Sequence, residues 1–415
     1  MAVHLVVLAA FIFAFRFIPL QDYPEWLYHG VLLERMATGG HGAEGYMLAD
    51  CIPPNSISTI AIATLHLLFP QELAGKLFLV ASMWLLYAGI IRFMRITLRG
   101  CDTMIAWMAL LLAFNYSFWL GNLSFYAGLG IALYGAHLLL VRRWAASVPG
   151  SMLLVTLAYL SHFFAWFFIL WAGTASAALR RDLGRLRTLT VAALPSILLF
   201  AHYLMARPAA PGIANGPETP AGFILMRAHL FAAAVQPVQR FKGVAEPGLP
   251  MEIANYLFAA GIGAAVVLAA LRFARRRRPG LNVVLALPLP ALMLVLPLFG
   301  SGIVFPAQRL VAFFLINVIA YLALEYQRIR AWLAGFFILF ATIGVCYAFF
   351  FTARFDTMVR AGCGPDRELY LSADRKGGTD GFVRLEFYDA LHISRQLHLF
   401  QTGLVLSRDP AGVRR

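Results

Sequence analysis

The chain opens with MAVHLVVLAAFIFAFRFIPLQDYPEW, residues 1–26. The first 20 of these residues are mostly apolar, and the carboxylate of Asp22 follows two positions later. Long apolar runs separated by short polar loops continue along the chain, and 61% of its 415 residues are hydrophobic while 13% are charged. Because about 20 consecutive apolar residues cross a hydrocarbon core of ~30 Å, this pattern predicts an all-α polytopic membrane protein whose first helix is retained.

The positive charge follows the same pattern. The net charge of +14 would also fit a nucleic-acid-binding protein, but the basic residues cluster in short loops between apolar runs, as the positive-inside rule expects for cytoplasmic loops. We therefore expect no nucleic-acid partner. The clusters are Arg92–Arg99, Arg142–Arg143, Arg180–Arg187, Arg272–Arg278 and Arg328–Arg330.

Placing these clusters in the cytoplasm fixes the predicted topology. It gives about 11 transmembrane helices, with the N-terminus cytoplasmic and the C-terminus periplasmic. Residues 1–351 form the membrane domain, with a first outer loop of membrane-lying helices at 21–72 and a second large outer loop at 207–250. Residues 151–179 are either a hairpin of half-helices or one broken unit turning at Ser161–His162. Residues 352–415 form a small α/β periplasmic tail that folds back on the outer loops.

Two cysteines fall on the predicted outer side, where a disulfide can persist. Cys51 lies in the first loop and Cys363 in the tail. We expect them either to pair, which would tie the tail to that loop, or to be two unrelated small buried side chains. The four cysteines show no spacing typical of a metal site.

Asp22 is the first candidate for chemistry. At the outer interface its carboxylate could take a proton from an attacking hydroxyl. The same residue, followed by Pro24 and Glu25, also fits the N-cap of a helix reaching about Ala37. His29 lies one turn beyond Glu25 on the same helix face, so both could face the same cleft as Asp22. The alternative is a solvated face, which fits Glu25 better.

Three further polar residues are candidates on the same side. His162 interrupts an apolar segment, so it is either a functional ionisable group or a satisfied buried histidine. Arg309 begins a late span at its outer end, where its guanidinium could bind a phosphate or extend to the interface. Asp50 could line or cap the first loop.

These residues together resemble the GT-C fold glycosyltransferases, which use polyprenyl-phosphate sugars. The shared features are a first helix followed by an acidic residue that opens a large outer loop. The chain also resembles a group of bacterial membrane proteins whose first loop begins Asp-Leu-Pro-x-His. Residues 22–26 read Asp-Tyr-Pro-Glu-Trp here, so the Leu and the His are replaced. Residues 114–128, the Ser161–His162 pair and Arg309 carry the rest of the resemblance, which covers residues 1–330.

The resemblance implies a function and a site. It makes Asp22 the general base, or else a metal ligand, and gives Arg309 the role of binding the lipid phosphate. We add His162, His29 and Asp50 as candidates for binding substrate or lipid phosphate. It implies a polyprenyl-phosphate-linked sugar as donor and a glycan, lipid or protein as acceptor, in contact with membrane lipid. It allows a divalent metal ion and requires none.

The expected protein is therefore an inverting glycosyltransferase at the outer face of a bacterial inner membrane. The alternative is a non-enzymatic membrane protein. This would be a transporter, a subunit for lipid or glycan assembly, or a GT-C scaffold without activity.

Overall fold

A computed structural model describes most of the membrane-embedded part of the chain. The described residues are 1–20, 22–41, 46–140, 147–206, 231, 234, 236–238, 248–275, 280–295, 299–300, 303–304, 306–363 and 405–407. Within them the chain is almost entirely helical. The first half contains α1 (Ala2–Ala14), α2 (Tyr23–Thr38), β1 (Tyr46–Leu48), α3 (Ser56–His66), α4 (Gln71–Met94), α5 (Asp102–Ala113), α6 (Tyr116–Trp119), α7 (Leu123–Leu140), α8 (Val148–Ser161) and α9 (Phe163–Arg180).

The second half continues with longer helices and three short strands. These elements are α10 (Leu183–Ala206), α11 (Leu249–Arg275), α12 (Leu281–Ala286), α13 (Pro288–Val295), β2 (Phe299–Gly300), β3 (Ile303–Val304), α14 (Pro306–Glu325), α15 (Ile329–Cys363) and β4 (Val405–Ser407). The short strands form two separate antiparallel pairs, β1 with β4 and β2 with β3. The fold class is therefore helical, as predicted.

Six of the described helices are long and apolar enough to cross a membrane. They are Gln71–Met94, Leu123–Leu140, Phe163–Arg180, Leu183–Ala206, Leu249–Arg275 and Ile329–Thr357. The prediction of about 11 spans is wrong on this measure. Four other apolar helices of the described chain are shorter. One of them, α1, has 13 residues, which at 1.5 Å per residue reach only about 20 Å. Prolines at 288 and 290 interrupt the segment that begins at Leu281, since proline lacks a backbone donor.

Glycines allow the central helices α4 and α7 to pack at short range. A Cβ at Gly89 would lie 2.8 Å from the carbonyl oxygen of Gly130, and a Cβ at Gly130 would lie 2.7 Å from the backbone nitrogen of Leu86. Both distances are too short for a real carbon atom, so a side chain at either position would force the helices apart. The α4–α7 pair thus forms a tightly packed centre on which the surrounding helices rest.

The first loop folds onto this bundle through α2 and α3. A Cβ at Gly30 of α2 would lie 2.5 Å from the side chain of Ile62 in α3, which shows how closely the two helices approach. Asp22 is the N-cap residue of α2, yet its side chain makes no capping hydrogen bond. The helix does end as glycine predicts, since Gly39 adopts φ 74° in the left-handed region. That α2 and α3 lie on a membrane surface stays a prediction.

Polar contacts join the N-terminus to the first predicted cytoplasmic loop. The Nε of Arg95 donates to the Asp102 carboxylate at 2.8 Å. A terminal guanidinium nitrogen of Arg95 contacts the sulfur of Met1 at 3.6 Å. Asn282 donates to the Thr97 hydroxyl at 3.2 Å. These residues therefore share one end of the bundle. Which side of the membrane that end faces stays a prediction.

The tail returns to the first loop, as the sequence predicted. Strand β4 pairs with β1, with Tyr46 opposite Ser407 and Leu48 opposite Val405. The last helix continues to Cys363, beyond the predicted boundary at residue 351. The rest of the predicted α/β tail, residues 364–404 and 408–415, lies outside the described residues. Cys51 carries a free thiol. Of the two alternatives for Cys51 and Cys363, the disulfide is therefore not present. The Cys363 side chain is not described.

Little of the second outer loop belongs to the described chain. Most of residues 207–247 lie outside it. Residues 236–238 are described and dock on the bundle: the amide of Asn255 donates to the Val238 carbonyl at 2.8 Å and its oxygen accepts from the Val238 N–H at 3.1 Å. Val238 is fully buried, so the end of this loop is fixed to α11.

Candidate functional site

The break between α8 and α9 places His162 inside the protein. The backbone of His162 is extended, with φ −171° and ψ 145°, so one helix ends at Ser161 and the next begins at Phe163. The ring is 1% exposed and its Nδ1 accepts a hydrogen bond from the backbone N–H of Phe164 at 3.1 Å. His162 is thus the N-cap of α9. This agrees with the predicted break at Ser161–His162, a break that forms two helices.

Arg309 meets His162 from the other side. It lies in the first turn of α14, which begins at Pro306, a residue whose fixed φ suits the start of a helix. One terminal nitrogen of its guanidinium lies 2.7 Å from Nε2 of His162. Both groups pack on Phe125: the Arg309 carbon is 5.4 Å from the ring centroid, and the His162 ring meets it edge-on at 5.0 Å. Two predicted candidates, 147 residues apart in sequence, therefore form one pair.

Both polar neighbours of the His162 ring are hydrogen-bond donors. Because the Phe164 N–H donates to Nδ1, that nitrogen carries no proton, and in a neutral imidazole the proton is then on Nε2. Nε2 faces the guanidinium of Arg309, which has donors and no acceptor. Two N–H donors cannot hydrogen-bond to each other, so with this tautomer the 2.7 Å contact requires an acceptor beside it. An anionic oxygen placed beside them could accept hydrogen bonds from both, one of them charge-assisted.

Asp22 lies at the same end of the bundle. Its backbone N–H donates to the carbonyl of Leu120 at 3.1 Å, and the residue is 8% exposed. A Cβ at Gly121 would lie 2.6 Å from the Asp22 nitrogen. Gly121 lies in the turn just before α7, with φ +69°, and Phe125 is the third residue of that helix. This turn therefore contacts the Asp22 backbone, and the first turn of α7 contacts the His162–Arg309 pair.

The first loop also closes against this end through its own backbone. The hydroxyl of Tyr159 donates to the carbonyl of Ile52 at 2.9 Å, and that of Ser124 donates to the carbonyl of Asn55 at 2.7 Å. Asp50 begins this segment but is exposed. Burial and the neighbouring Asp50 carboxylate raise the pKa of the Cys51 thiol. Asp50 therefore borders the docked segment and lies on its surface.

Two polar residues of α2 are more deeply buried than their sequence context suggested. Glu25 is 3% exposed and His29 is fully buried, so the expectation of a solvated face for Glu25 is wrong. Burial lowers the pKa of His29 to about 4. The imidazole of His29 is therefore neutral at ordinary pH. Both residues are thus on a buried face of α2, and helical spacing alone could not show that this face is buried.

The sequence did not single out Phe125, whose ring supports both members of the pair. Its position one turn after the Gly121 turn was the available signal. Gly128, three residues after Phe125, also lies against the histidine segment. A Cβ there would lie 2.9 Å from the Cβ of Ser161 and 3.5 Å from that of His162. This glycine lets the broken α8–α9 segment approach α7 closely enough to hold the histidine.

Metal binding was tested on the same residues. Among those that the structure describes, no group of three or more His, Cys, Asp or Glu side chains is arranged to hold a metal ion. The candidate site therefore rests on one carboxylate, one imidazole and one guanidinium. Their chemistry fits proton transfer and anion binding.

The long apolar helices define the class of protein: the chain is a helical, multi-pass membrane protein. No protein-family model, no curated protein and no solved structure matches it.

Proposed function

We propose that the chain is an inverting glycosyltransferase that moves a sugar from a polyprenyl-phosphate donor to an acceptor hydroxyl. The acceptor is a glycan, a lipid or a protein, and the reaction takes place at the outer face of a bacterial inner membrane. The observation that carries the proposal is the 2.7 Å contact between Arg309 and His162. It joins two donor groups at the end of the bundle where Asp22 also lies.

In the proposed reaction, Asp22 accepts the proton of the acceptor hydroxyl. The freed oxygen forms a bond to the anomeric carbon, and the bond between that carbon and the phosphate oxygen breaks on the opposite face. The electron pair leaves with the polyprenyl phosphate, whose charge increases during the step. Arg309 and the Nε2–H of His162 stabilise that developing charge, which is the most effective place for fixed donors.

The roles of Asp22 and Arg309 can be separated by assays of binding and of turnover. The full chain in nanodiscs would be supplied with a panel of polyprenyl-phosphate monosaccharides, and release of polyprenyl phosphate would be measured. Asp22→Asn should abolish release while leaving donor binding intact, because only the base is lost. Glu34→Gln, which changes another carboxylate of the same loop, is the matched control. Normal release by Asp22→Asn would remove Asp22 from the mechanism.

Arg309→Gln should weaken binding of polyprenyl phosphate about tenfold to a hundredfold, the range for losing hydrogen bonds to a charged group. Arg354→Gln, at an exposed arginine of α15, is the control for net charge. If Arg309→Gln binds the lipid phosphate as the wild type does, the assignment of the pair fails. Binding without turnover of any donor would favour the non-enzymatic alternative, a lipid-binding assembly subunit.

A further inference from the structure

An apolar groove lies between α11 and α15, away from the site above. Its volume is about 540 Å³, and α14 forms its floor. At one end α11 and α15 meet through stacked aromatic rings, with Phe258 and Phe336 at 5.2 Å. Towards the start of α15 the lining reaches Ala331 and Trp332, and the Trp332 side chain is exposed. Its lining includes Ile262, Ala265, Ile319, Trp332, Gly335 and Leu339.

The groove opens towards a strongly basic end of the bundle. Residues 262–275 and 319–335 carry four arginines and a single carboxylate, Glu325. Ala265 lies two turns, about 10 Å, before Arg272, and Trp332 lies two residues after Arg330. Positive charge therefore borders the open end of an apolar channel, an arrangement complementary to a molecule with an acyl chain and an anionic head.

Two of these arginines are fixed in place by the fold. The Nε of Arg272 donates to the Glu325 carboxylate at 2.9 Å, and its guanidinium lies 5.4 Å from the ring centroid of Tyr326. The Nε of Arg330 donates to the carbonyl of Ala323 at 2.7 Å. The remaining two, Arg275 and Arg328, are exposed. The end of the groove thus combines positioned and solvent-facing cations.

Trp332 marks the depth of this end in a membrane. Its side chain is 81% exposed although it lines an apolar groove. Tryptophan prefers the level of the lipid headgroups, where its ring is amphipathic. An exposed tryptophan next to a cluster of arginines therefore places the open end of the groove at headgroup level.

We infer that the α11–α15 groove binds an anionic phospholipid, with an acyl chain along the groove and the phosphate headgroup among Arg272, Arg275, Arg328 and Arg330. Net positive charge favours an anionic headgroup over a zwitterionic one. The site is independent of the proposed transferase chemistry, and its test needs no enzymatic activity.

Gly335 provides a direct test because it lines the groove and a Cβ there meets no atom within 4 Å. Gly335→Leu fills the groove from an open position and favours helix formation. Gly263→Leu makes the same change on α11, also with no atom within 4 Å, and Gly263 does not line the groove. The full chain would be purified from mixed phosphatidylglycerol and phosphatidylcholine nanodiscs, and retained lipid counted by native mass spectrometry.

The wild type and Gly263→Leu should retain phosphatidylglycerol in preference to phosphatidylcholine, and Gly335→Leu should lose that retention at least about fivefold. The double variant Arg275→Gln, Arg328→Gln should weaken retention about 25-fold, at about fivefold per arginine. The control is the double variant Arg180→Gln, Arg187→Gln, which removes the same charge from another exposed basic cluster. It should not change the retention of phosphatidylglycerol. Equal retention by Gly335→Leu and Gly263→Leu would overturn the inference, as would equal effects of the two charge variants.

A second measurement uses the wild-type fold and does not depend on the groove-filling variant. The emission of Trp332 is obtained by subtracting the fluorescence of Trp332→Phe from that of the wild type. Phosphatidylglycerol brominated on its acyl chain should quench this emission. Brominated phosphatidylcholine at equal concentration should quench it less. Equal quenching by the two lipids would show no headgroup preference and would refute the site.

Discussion

Replacing Gly121 by alanine should destabilise the protein through two separate effects. Gly121 has φ +69°, where an alanine costs about 1–2 kcal/mol, partly offset by its lower entropy in the unfolded chain. The new Cβ would also lie 2.6 Å from the nitrogen of Asp22 and 2.8 Å from that of Tyr23. Overpacking against backbone atoms costs a further 1–3 kcal/mol or so. The expected total is about 2–4 kcal/mol.

Two other glycines isolate the conformational part of this cost. Gly39 has φ +74° and Gly100 has φ +72°, and a Cβ at either meets no atom within 4 Å. Their alanine variants should lose only about 1 kcal/mol. The free energy of unfolding would be measured by titrating dodecyl maltoside micelles with sodium dodecyl sulfate, using circular dichroism. If all three variants lose the same amount, Asp22 does not pack against Gly121 as described.

Two further predictions concern a buried histidine and two glycines of α11. Burial lowers the pKa of His29 from 6.5 to about 4, so the unfolded state binds the proton first as the pH falls. Stability should be full above pH 6.5 and decrease by about 3 kcal/mol towards pH 4. His29→Phe should remove that part of the pH dependence, and an unchanged slope would contradict the burial. Gly261→Ala should cost about 1–3 kcal/mol, because its Cβ would lie 2.5 Å from the Phe336 ring. Gly263→Ala should stabilise by about 0.5–1 kcal/mol, and equal unfolding free energies for these two variants would refute the α11–α15 contact.

The sequence predicted the order of the helices better than their number. It correctly gave the break at Ser161–His162, because a polar residue inside an apolar run is visible in one dimension. It also gave the return of the tail to the first loop. It overestimated the number of spans, because hydropathy does not show where a helix ends inside the bundle, as α1 does at Ala14.

The candidate site was predicted as separate residues. The sequence selected His162 and Arg309 because ionisable groups next to apolar spans are costly unless they have a role or a partner. It could not predict that Phe125 would support both. It also assigned Glu25 to a solvated face, although α2 turns that face inward. This error arises because helical spacing shows which residues share a face of a helix. It does not show whether that face is turned to solvent or to the protein interior.

Local composition therefore determined that this chain is a helical membrane protein and which of its polar residues needed explanation. Periodicity and hydropathy are local properties, and the cost of leaving backbone polar groups unsatisfied in lipid enforces helices. Only the tertiary structure brought His162 to Arg309 across 147 residues and placed the Asp22 backbone against Gly121, just before the helix that carries Phe125. Those contacts depend on Gly121 and Gly128, because a side chain at either position would overlap the neighbouring segment. The sequence alone does not show which segment lies there.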